Sequence, residues 1–278
     1  EDALQVRVMD RPELILDIFA TRARTNEAKM QVELAQLGYL LPRLARMWTH
    51  LSRIRGGIGL RGPGETQIET DRRLIRRKIS QLKKKLEGVA RHREVMRSGH
   101  ERRGVLSAAL VGYTNAGKSS LLRALSGADV FVEDRLFATL DTVAREVFVP
   151  PNGKIRLTDT VGFIRKLPHD LVASFKATLE ETSGADVLLH VIDASHPDWE
   201  EQLAVVDRTV ADLNLDGRRV VHVFNKMDRV LDEAGLRSRA AQYEEAGFVS
   251  AQKPALDELK ARFVELVDTH RASQKVAG

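Results

Sequence analysis

The sequence predicts an α/β protein in two parts: a long antiparallel α-helical coiled-coil hairpin, followed by a doubly wound domain built on a mostly parallel sheet. Strand-like and helix-like segments alternate from residue 104 onward, which is typical of an open sheet covered by helices on both faces. Before residue 104, apolar residues recur every seven residues in two segments that a glycine-rich stretch separates. That repeat favours two helices packed along a seam.

The composition limits the class of protein. The 278 residues suit two domains, and a hydrophobic fraction of 43% permits a substantial core. The absence of cysteine excludes disulfides and thiolate metal sites and fits the cytoplasm, which is the location we expect. No apolar run approaches the ~18 residues of a membrane span, and no signal peptide is recognisable. The net charge of +5 says little about binding partners until the positions of the basic residues in the chain are known.

The first part of the chain is predicted to be helical. Residues 1–11 hold one short alternating run, which we interpret as the remnant of a missing N-terminal domain, because a lone strand has no edge to pair with. Residues 12–103 form the hairpin, with a helical pattern from about Pro12 to Arg55 that Gly38 and Pro42 interrupt and bend, and a glycine-rich tip loop over 56–64. The first seam consists of Met30, Leu34, Leu37, Leu41, Leu44, Trp48 and Leu51, and the second of Ile68, Ile75, Ile79, Leu82, Leu86, Val89 and Met96.

The second domain is predicted over residues 104–270, with a C-terminal tail over 271–278. Its strands lie near 105–111, 145–149, 154–158, 187–192, 220–224 and 247–249, and its helices near 118–126, 170–182, 199–213, 235–246 and 255–268. The segment Pro150–Gly153 predicts a hairpin turn, which makes one edge strand antiparallel.

The segment from Gly112 to Ser119 reads GYTNAGKS and fits the phosphate-loop pattern G-x-x-x-x-G-K-[ST] between a strand and a helix. Glycines let the backbone N–H groups and the positive end of the following helix face a phosphate chain. Lys118 adds a charge for the β- and γ-phosphates, and the Ser119 hydroxyl is a candidate ligand of Mg²⁺. A glycine turn without function is the alternative for this motif taken alone.

Further motifs follow at the ends of later strands. Asp159 and Gly162, in DTVG, are placed to approach the Mg²⁺ and to offer an N–H to the γ-phosphate. A loop before DTVG should supply a threonine to the Mg²⁺, and Thr139 is the first choice, with Thr142 the alternative.

Guanine is the base that the remaining motifs favour. In NKMD, the Asp228 carboxylate can accept from the ring N–H and the exocyclic amine, and Asn225 can bond the ring nitrogen on the far side. Adenine lacks this pair of donors, so a site built around those hydrogen bonds rejects it. Ser250 and Ala251 can bring a backbone N–H to the guanine carbonyl. The ordered motifs predict a P-loop GTPase domain.

Two more positions bear on hydrolysis. Phe163 follows Gly162 where a glutamine often orients the attacking water, and a phenyl ring cannot bond water, so slow intrinsic hydrolysis that a partner stimulates is expected. Asn115 resembles a K⁺ ligand of related GTPases, and a loop asparagine bonded to its own backbone is the alternative.

The candidate residues are therefore as follows. Candidate cofactor-binding residues are Gly112, Tyr113, Thr114, Asn115, Ala116, Gly117, Lys118, Ser119, Ser120, Asp159, Gly162, Asn225, Lys226, Asp228, Ser250 and Ala251. Candidate catalytic residues are Lys118, Thr139, Gly162 and Phe163, and candidate Mg²⁺ ligands are Ser119, Thr139 and Asp159.

The hairpin carries candidate RNA contacts. A basic run usually forms a solvated face, but beside a nucleotide site it favours phosphate contacts with RNA. Because no base-reading aromatic residues accompany it, we expect structured RNA to be recognised by shape. Dense glycine in the tip loop suits close approach to a crowded partner, and a loose turn is the alternative. The candidate contacts are Gly57, Gly59, Arg61, Gly62, Arg72, Arg73, Arg76 and Arg77.

The combination of GGIGLRGPGETQIETDRR, GYTNAGKSSL, LFATLD and DTVGFIRKLPHDLVASFKATLEET resembles the HflX family of ribosome-associated GTPases over nearly the whole chain. The resemblance implies a GTP-dependent factor that uses Mg²⁺, binds the large ribosomal subunit and its rRNA, and splits stalled or idle ribosomes. It also implies that the hairpin reaches toward the peptidyl-transferase region. The segment QKPAL after Ala251 departs from the family, which usually has a more glycine-rich turn there.

Two other classes of function stay open. One is a large-subunit assembly or anti-association factor in which hydrolysis times release, and nucleotide-independent ribosome binding would favour it. The other is a GTPase that regulates a protein through the hairpin, which salt-insensitive association and indifference to RNA would favour.

Overall fold

The computed structural model describes residues 6, 8–47, 63–101, 105–127, 137, 139–140, 142–151, 153–165, 184–215, 217–243, 245–252 and 256–277. These residues fall into two compact units, one up to Glu94 and one from Val95 onward. The helices are α1 (Arg11–Arg22), α2 (Asn26–Met47), α3 (Pro63–Glu101), α4 (Lys118–Ser126), α5 (Trp199–Asp212), α6 (Glu233–Ala240) and α7 (Asp257–Ala277). The strands are β1 (Leu106–Gly112), β2 (Val143–Val149), β3 (Gly153–Asp159), β4 (Val187–Asp193), β5 (Arg219–Asn225) and β6 (Ala246–Phe248).

The first unit begins with α1, whose start is set by Asp10. The Asp10 carboxylate accepts the backbone N–H of Glu13 at 2.9 Å, as an N-cap does, and it also accepts hydrogen bonds from Tyr39 and Arg43 of α2. The Arg43 guanidinium lies 3.4 Å from the centre of the Tyr39 ring. One carboxylate therefore starts α1 and joins it to α2.

The helical pattern predicted from about Pro12 forms two helices in the described residues, because the chain leaves the helical conformation between α1 and α2, a break that the sequence prediction did not include. Ala23 closes α1 by donating its N–H to the Phe19 carbonyl at 2.9 Å. Two residues later, the Thr25 hydroxyl accepts the N–H of Ala28 at 3.1 Å and starts α2. The short alternating run in residues 1–11 is not a strand at its described positions, Val6, Val8 and Met9.

The seams predicted for the helices are found only in part. The described seam residues of α2 are half-buried, and its most buried positions are Ala28, Gln31, Val32 and Ala35. In α3, the seam residues Leu82 and Leu86 are buried, and Lys78 pairs with Glu33 of α2. Coiled-coil packing of α2 against α3 stays a prediction. The predicted tip loop extends two residues too far, because α3 begins at Pro63.

The second unit contains the predicted α/β sheet. Among the described residues, its six strands have the order β2-β3-β1-β4-β5-β6, and every pairing is parallel except that of β2 with β3. The predicted hairpin is confirmed, because Val149 and Gly153 face each other at its end. One face of the sheet packs on α4 and α7, and the other packs on α5 and α6.

Three details of the second unit differ from the sequence prediction or lie beyond it. The helix predicted near 255–268 continues to Ala277, through residues predicted as a C-terminal tail, since no glycine or proline interrupts it before Gly278. Helix α6 ends at Ala240, earlier than predicted. The helix predicted near 170–182 lies outside the described residues. Among the described helices, none has the length and apolar content to cross a membrane.

Two histidines face each other across β4 and β5. His190 and His222 share a register position, and their ring centres are 5.6 Å apart. His190 is buried, with its Nδ1 atom 3.4 Å from a carboxylate oxygen of Asp207. Burial, and then the nearby His190, lower the pKa of His222 from 6.5 to about 4, against the opposing charges of Asp207 and Glu245.

We expect the free energy of unfolding to fall as the pH drops from 7.5 to 4.5, partly through His222. The unfolded histidine takes up a proton near pH 6.5 and the folded one only near pH 4, so acid favours the unfolded chain across this interval. After allowance for solvent screening, His222 should account for about 1–2 kcal/mol of the loss. Urea unfolding of the wild type and of His222→Phe at several pH values measures it. An identical pH dependence for the two proteins would contradict this assignment, and His92→Phe on the exposed face of α3 is the control.

Candidate nucleotide-binding site

The phosphate loop connects β1 to α4 and is shaped by Gly117. This residue has a left-handed backbone, with φ +94°, and a Cβ atom on it would lie 2.3 Å from Nδ2 of Asn225. Asn115 is also left-handed, with φ +63°, and its side chain is exposed, whereas Ala116 is buried. Tyr113 accepts the backbone N–H of Arg165 on its hydroxyl at 3.3 Å. The loop therefore needs glycine at 117 for both its conformation and the space that Asn225 occupies.

Lys118 lies inside the loop. It is only 6% exposed, and its ammonium donates to the carbonyls of Gly112 at 3.1 Å and Tyr113 at 3.0 Å. Burial lowers its pKa to about 8, although the charge of Asp159 opposes that change. The carbonyls of the phosphate loop therefore fix the position of the side chain that is predicted to bind the β- and γ-phosphates.

Three oxygen-bearing side chains meet at the start of α4. The Ser119 hydroxyl donates to Oδ2 of Asp159 at 2.5 Å and lies 2.6 Å from Oγ1 of Thr139. Of the two candidate threonines, Thr139 makes this contact and Thr142 does not. The next residue, Ser120, is half-buried on α4.

The Asp159 carboxylate suits a hard cation. It is fully buried, and its Oδ1 atom has no hydrogen-bond partner among the described residues. Burial raises its pKa, and the charge of Lys118 opposes that rise. A buried, incompletely bonded carboxylate beside two hydroxyls is the oxygen set that Mg²⁺ prefers, so the residues fit the ion.

The DTVG segment is joined to the phosphate loop through the backbone. Phe163 donates its N–H to Gly112 at 3.0 Å and accepts the N–H of Thr114 at 2.8 Å. Its side chain is 4% exposed. A Cβ atom on Gly162 would lie 2.8 Å from Cα of Thr114 and 3.0 Å from Nζ of Lys118. Phe163 therefore positions this segment, and Gly162 has no room for a side chain.

On the base side, Asn225 connects three loops. Its Nδ2 donates to the Ala116 carbonyl at 2.9 Å, and its Oδ1 accepts the N–H of Ala251 at 3.2 Å. The sequence assigned Asn225 to the ring nitrogen of the base, and the structure adds this linking role. Since a side-chain amide has two N–H donors, the second one can still serve a base.

The Asp228 carboxylate is oriented by Ser250. The Ser250 hydroxyl donates to Oδ1 of Asp228 at 2.5 Å, and Asp228 itself is exposed. The structure thus brings together the residues that the sequence assigned to the phosphates, the cation and the base. Of the candidate RNA contacts, Arg73, Arg76 and Arg77 are exposed on α3 and Arg72 is half-buried, whereas Gly57, Gly59, Arg61 and Gly62 lie outside the described residues.

Sequence reasoning missed Asp193. Its Oδ2 atom accepts from the Lys226 ammonium at 2.7 Å, and its Oδ1 atom accepts the backbone N–H of Ser195 at 3.1 Å and its hydroxyl at 2.7 Å. Lys226 has a left-handed backbone with φ +65°, so the ion pair holds a strained residue in place. The available signal was that Asp193 ends a buried strand and is in register with Asn225.

Two family models match successive parts of this chain. Residues 22–100 match the GTP-binding GTPase middle region, and residues 107–226 match the 50S ribosome-binding GTPase. GTPase HflX of Caldanaerobacter subterraneus subsp. tengcongensis is 55% identical over 228 residues, which cover 82% of this chain and 53% of that protein. GTPase HflX of Magnetococcus marinus is 53% identical over 266 residues, which cover 94% of this chain and 61% of that protein. The chain belongs to the HflX GTPase family.

Membership of the HflX family confirms the resemblance found in the sequence. The chain spans 53% and 61% of the length of these two relatives. Among solved structures, a GTP-binding protein from the hyperthermophilic archaeon Sulfolobus solfataricus in complex with GDP is 28% identical, with a TM-score of 0.56. That match covers 94% of this chain and 73% of the other chain. The second unit therefore has the phosphate-loop GTPase fold of the HflX family.

We expect Gly117→Ala to raise the Kd for GDP about 10–100-fold, because the new methyl group displaces Asn225 and strains the backbone. Gly127→Ala is the matched control. Gly127 is also left-handed, with φ +63°, but nothing lies within 4 Å of its Cβ position, so this change adds strain alone. Titration with a fluorescent GDP measures both variants. Equal GDP affinities for the two would contradict the contact with Asn225.

Proposed function

We propose that this chain binds GTP with Mg²⁺ and hydrolyses it to GDP and phosphate. The observation that carries the proposal is the position of Asn225, which joins the phosphate loop to the segment holding Ser250, while Ser250 orients Asp228. One connected set of hydrogen bonds thereby serves both ends of a guanine nucleotide. Asp228 is the acceptor for the two donors of guanine, and adenine would leave it unpaired.

The remaining residues act on the phosphates. Lys118 and the N–H groups of the loop balance the phosphate charge, and Ser119, Thr139 and Asp159 hold Mg²⁺, which would add charge stabilisation at the phosphates. Water attacks the γ-phosphorus and the bond to the β-phosphate oxygen breaks. Phe163 cannot orient that water, so intrinsic turnover is slow.

We further propose that the partner is the large ribosomal subunit and that GTP-dependent binding promotes dissociation of stalled or idle ribosomes. The family model over 107–226 is that of a 50S ribosome-binding GTPase, and arginines are exposed on α3. Such a partner implies a cytoplasmic location. The same observations allow an assembly or anti-association factor, in which hydrolysis times release, and nucleotide-independent binding to the subunit would favour it.

Purified large subunits should stimulate GTP turnover at least about tenfold at low salt and less at moderate salt, since contacts to phosphates weaken as salt rises.

Arg73→Glu/Arg77→Glu should weaken subunit binding about tenfold, because both side chains are exposed on the basic face of α3. Arg208→Glu/Lys260→Glu makes the same charge change elsewhere, and Lys118→Ala is the blank for turnover. Stimulation that persists in the α3 variant would contradict the RNA contact. No stimulation, even with a longer chain that includes the rest of the relatives' length, would contradict the ribosomal partner.

We also propose that Asn115 supports K⁺-dependent hydrolysis, because it is an exposed residue of the phosphate loop that carries an amide oxygen. Turnover should be about tenfold faster in KCl than in NaCl at matched ionic strength, as a cation placed near the developing phosphate charge stabilises it. Asn115→Gly keeps the left-handed backbone, with φ +63° in the native residue, and should abolish the difference. Equal rates in the two salts would refute the proposal.

A further inference from the structure

The phosphate loop contains a buried hydroxyl without a partner. Thr114 is 6% exposed, and its Oγ1 atom makes no hydrogen bond among the described residues. Most buried hydroxyls have a hydrogen-bond partner, as Thr160 of the neighbouring DTVG segment does. Thr160 is fully buried, and its hydroxyl donates to the Leu110 carbonyl at 2.6 Å. A buried, unpaired hydroxyl lowers stability, so its presence at Thr114 calls for a compensating role.

The Thr114 side chain lies beside Gly162 and the Lys118 ammonium, the two groups assigned to the γ-phosphate. Its Cγ2 atom and the Lys118 ammonium are both 3.0 Å from the point that a Gly162 Cβ would occupy. Lys118 is the cation assigned to the β- and γ-phosphates, and Gly162 is assigned to the γ-phosphate through its N–H. The backbone of Thr114 is fixed as well, because its N–H donates to the Phe163 carbonyl at 2.8 Å.

The position after Gly162 has no polar side chain to act on the attacking water, because it is Phe163. Phe163 replaces the residue that would orient water, and its side chain is buried. Hydrolysis spreads charge over the oxygens of the transferring phosphoryl group, so a hydroxyl donor within reach of those oxygens stabilises the transition state more than the ground state.

We propose that the Thr114 hydroxyl is a catalytic group that donates a hydrogen bond to the γ-phosphate of GTP and strengthens that bond in the transition state. This inference rests on the proposed GTP hydrolysis. Thr114 transfers no proton: the bond from water to phosphorus forms, the bond from phosphorus to the β-phosphate oxygen breaks, and the protons of the water leave with the inorganic phosphate. GDP lacks the γ-phosphate and gains nothing from the hydroxyl.

Thr114→Val, which keeps the shape and removes the hydroxyl, tests the proposal in two independent ways. The nucleotide-free variant should unfold about 2–4 °C higher than the wild type, because an unpaired buried hydroxyl is gone. Its single-turnover rate constant should fall about 10–100-fold, with the Kd for GDP changed less than about threefold. The Kd ratio of GDP to guanosine 5′-(β,γ-imido)triphosphate should fall about 3–10-fold, since only the analogue reaches the hydroxyl.

Two matched variants complete the test. Thr114→Ser keeps the hydroxyl and should retain the rate constant within about threefold. Thr160→Val removes a hydroxyl that is paired, so its unfolding temperature should fall where that of Thr114→Val rises.

The proposal is overturned if Thr114→Val keeps both the rate constant and the Kd ratio of the wild type, or if Thr114→Ser loses as much as Thr114→Val, which would indicate packing. A wild-type chain that binds both nucleotides without turnover would refute the proposed hydrolysis instead. In that case the Kd ratio and the unfolding temperatures still decide whether the hydroxyl meets the γ-phosphate.

Discussion

The amide of Asn225 is the interaction on which the nucleotide site depends. Its two polar atoms bond the carbonyl of Ala116 and the N–H of Ala251, which belong to loops far apart in the sequence. The amide is 1% exposed, so either atom would lose its partner inside the protein if one loop moved. This side chain also explains why the phosphate loop has glycine at 117, because a larger residue would take its place.

Burial without full hydrogen bonding recurs around the phosphate loop. Oγ1 of Thr114 and Oδ1 of Asp159 are both buried and unpaired within the described part of the chain. Burial lowers the pKa of Lys118 and raises the pKa of Asp159, so that both shifts favour the neutral form. The charge of each residue opposes the pKa shift of the other. Such groups reduce stability, and they cluster where a charged ligand and its cation are expected to be bound. The fold around them is correspondingly well packed, with Leu110, Leu121 and Leu157 fully buried.

The sequence predicted the sheet and its motifs well, because both depend on local patterns. Buried strands followed by glycine, lysine and acidic residues can be recognised from the sequence without tertiary information. The antiparallel hairpin was predicted from its two prolines and its glycine. The division between α1 and α2 was missed, since Thr25 is a weak signal within a long apolar repeat. The most buried face of α2 was also missed, because alanines carry little weight in such a repeat. Asp193 could be found only from the register of β4 against β5.

The ion pair between Lys226 and Asp193 is part of a set of restraints on the side chains at the base end of the candidate site. Lys226 is held in a strained backbone conformation by Asp193, Asp193 is held by Ser195, and Asp228 is held by Ser250. Side chains restrained by protein partners lose little conformational entropy when a base arrives. The base end of the candidate site is therefore pre-organised before any ligand is present.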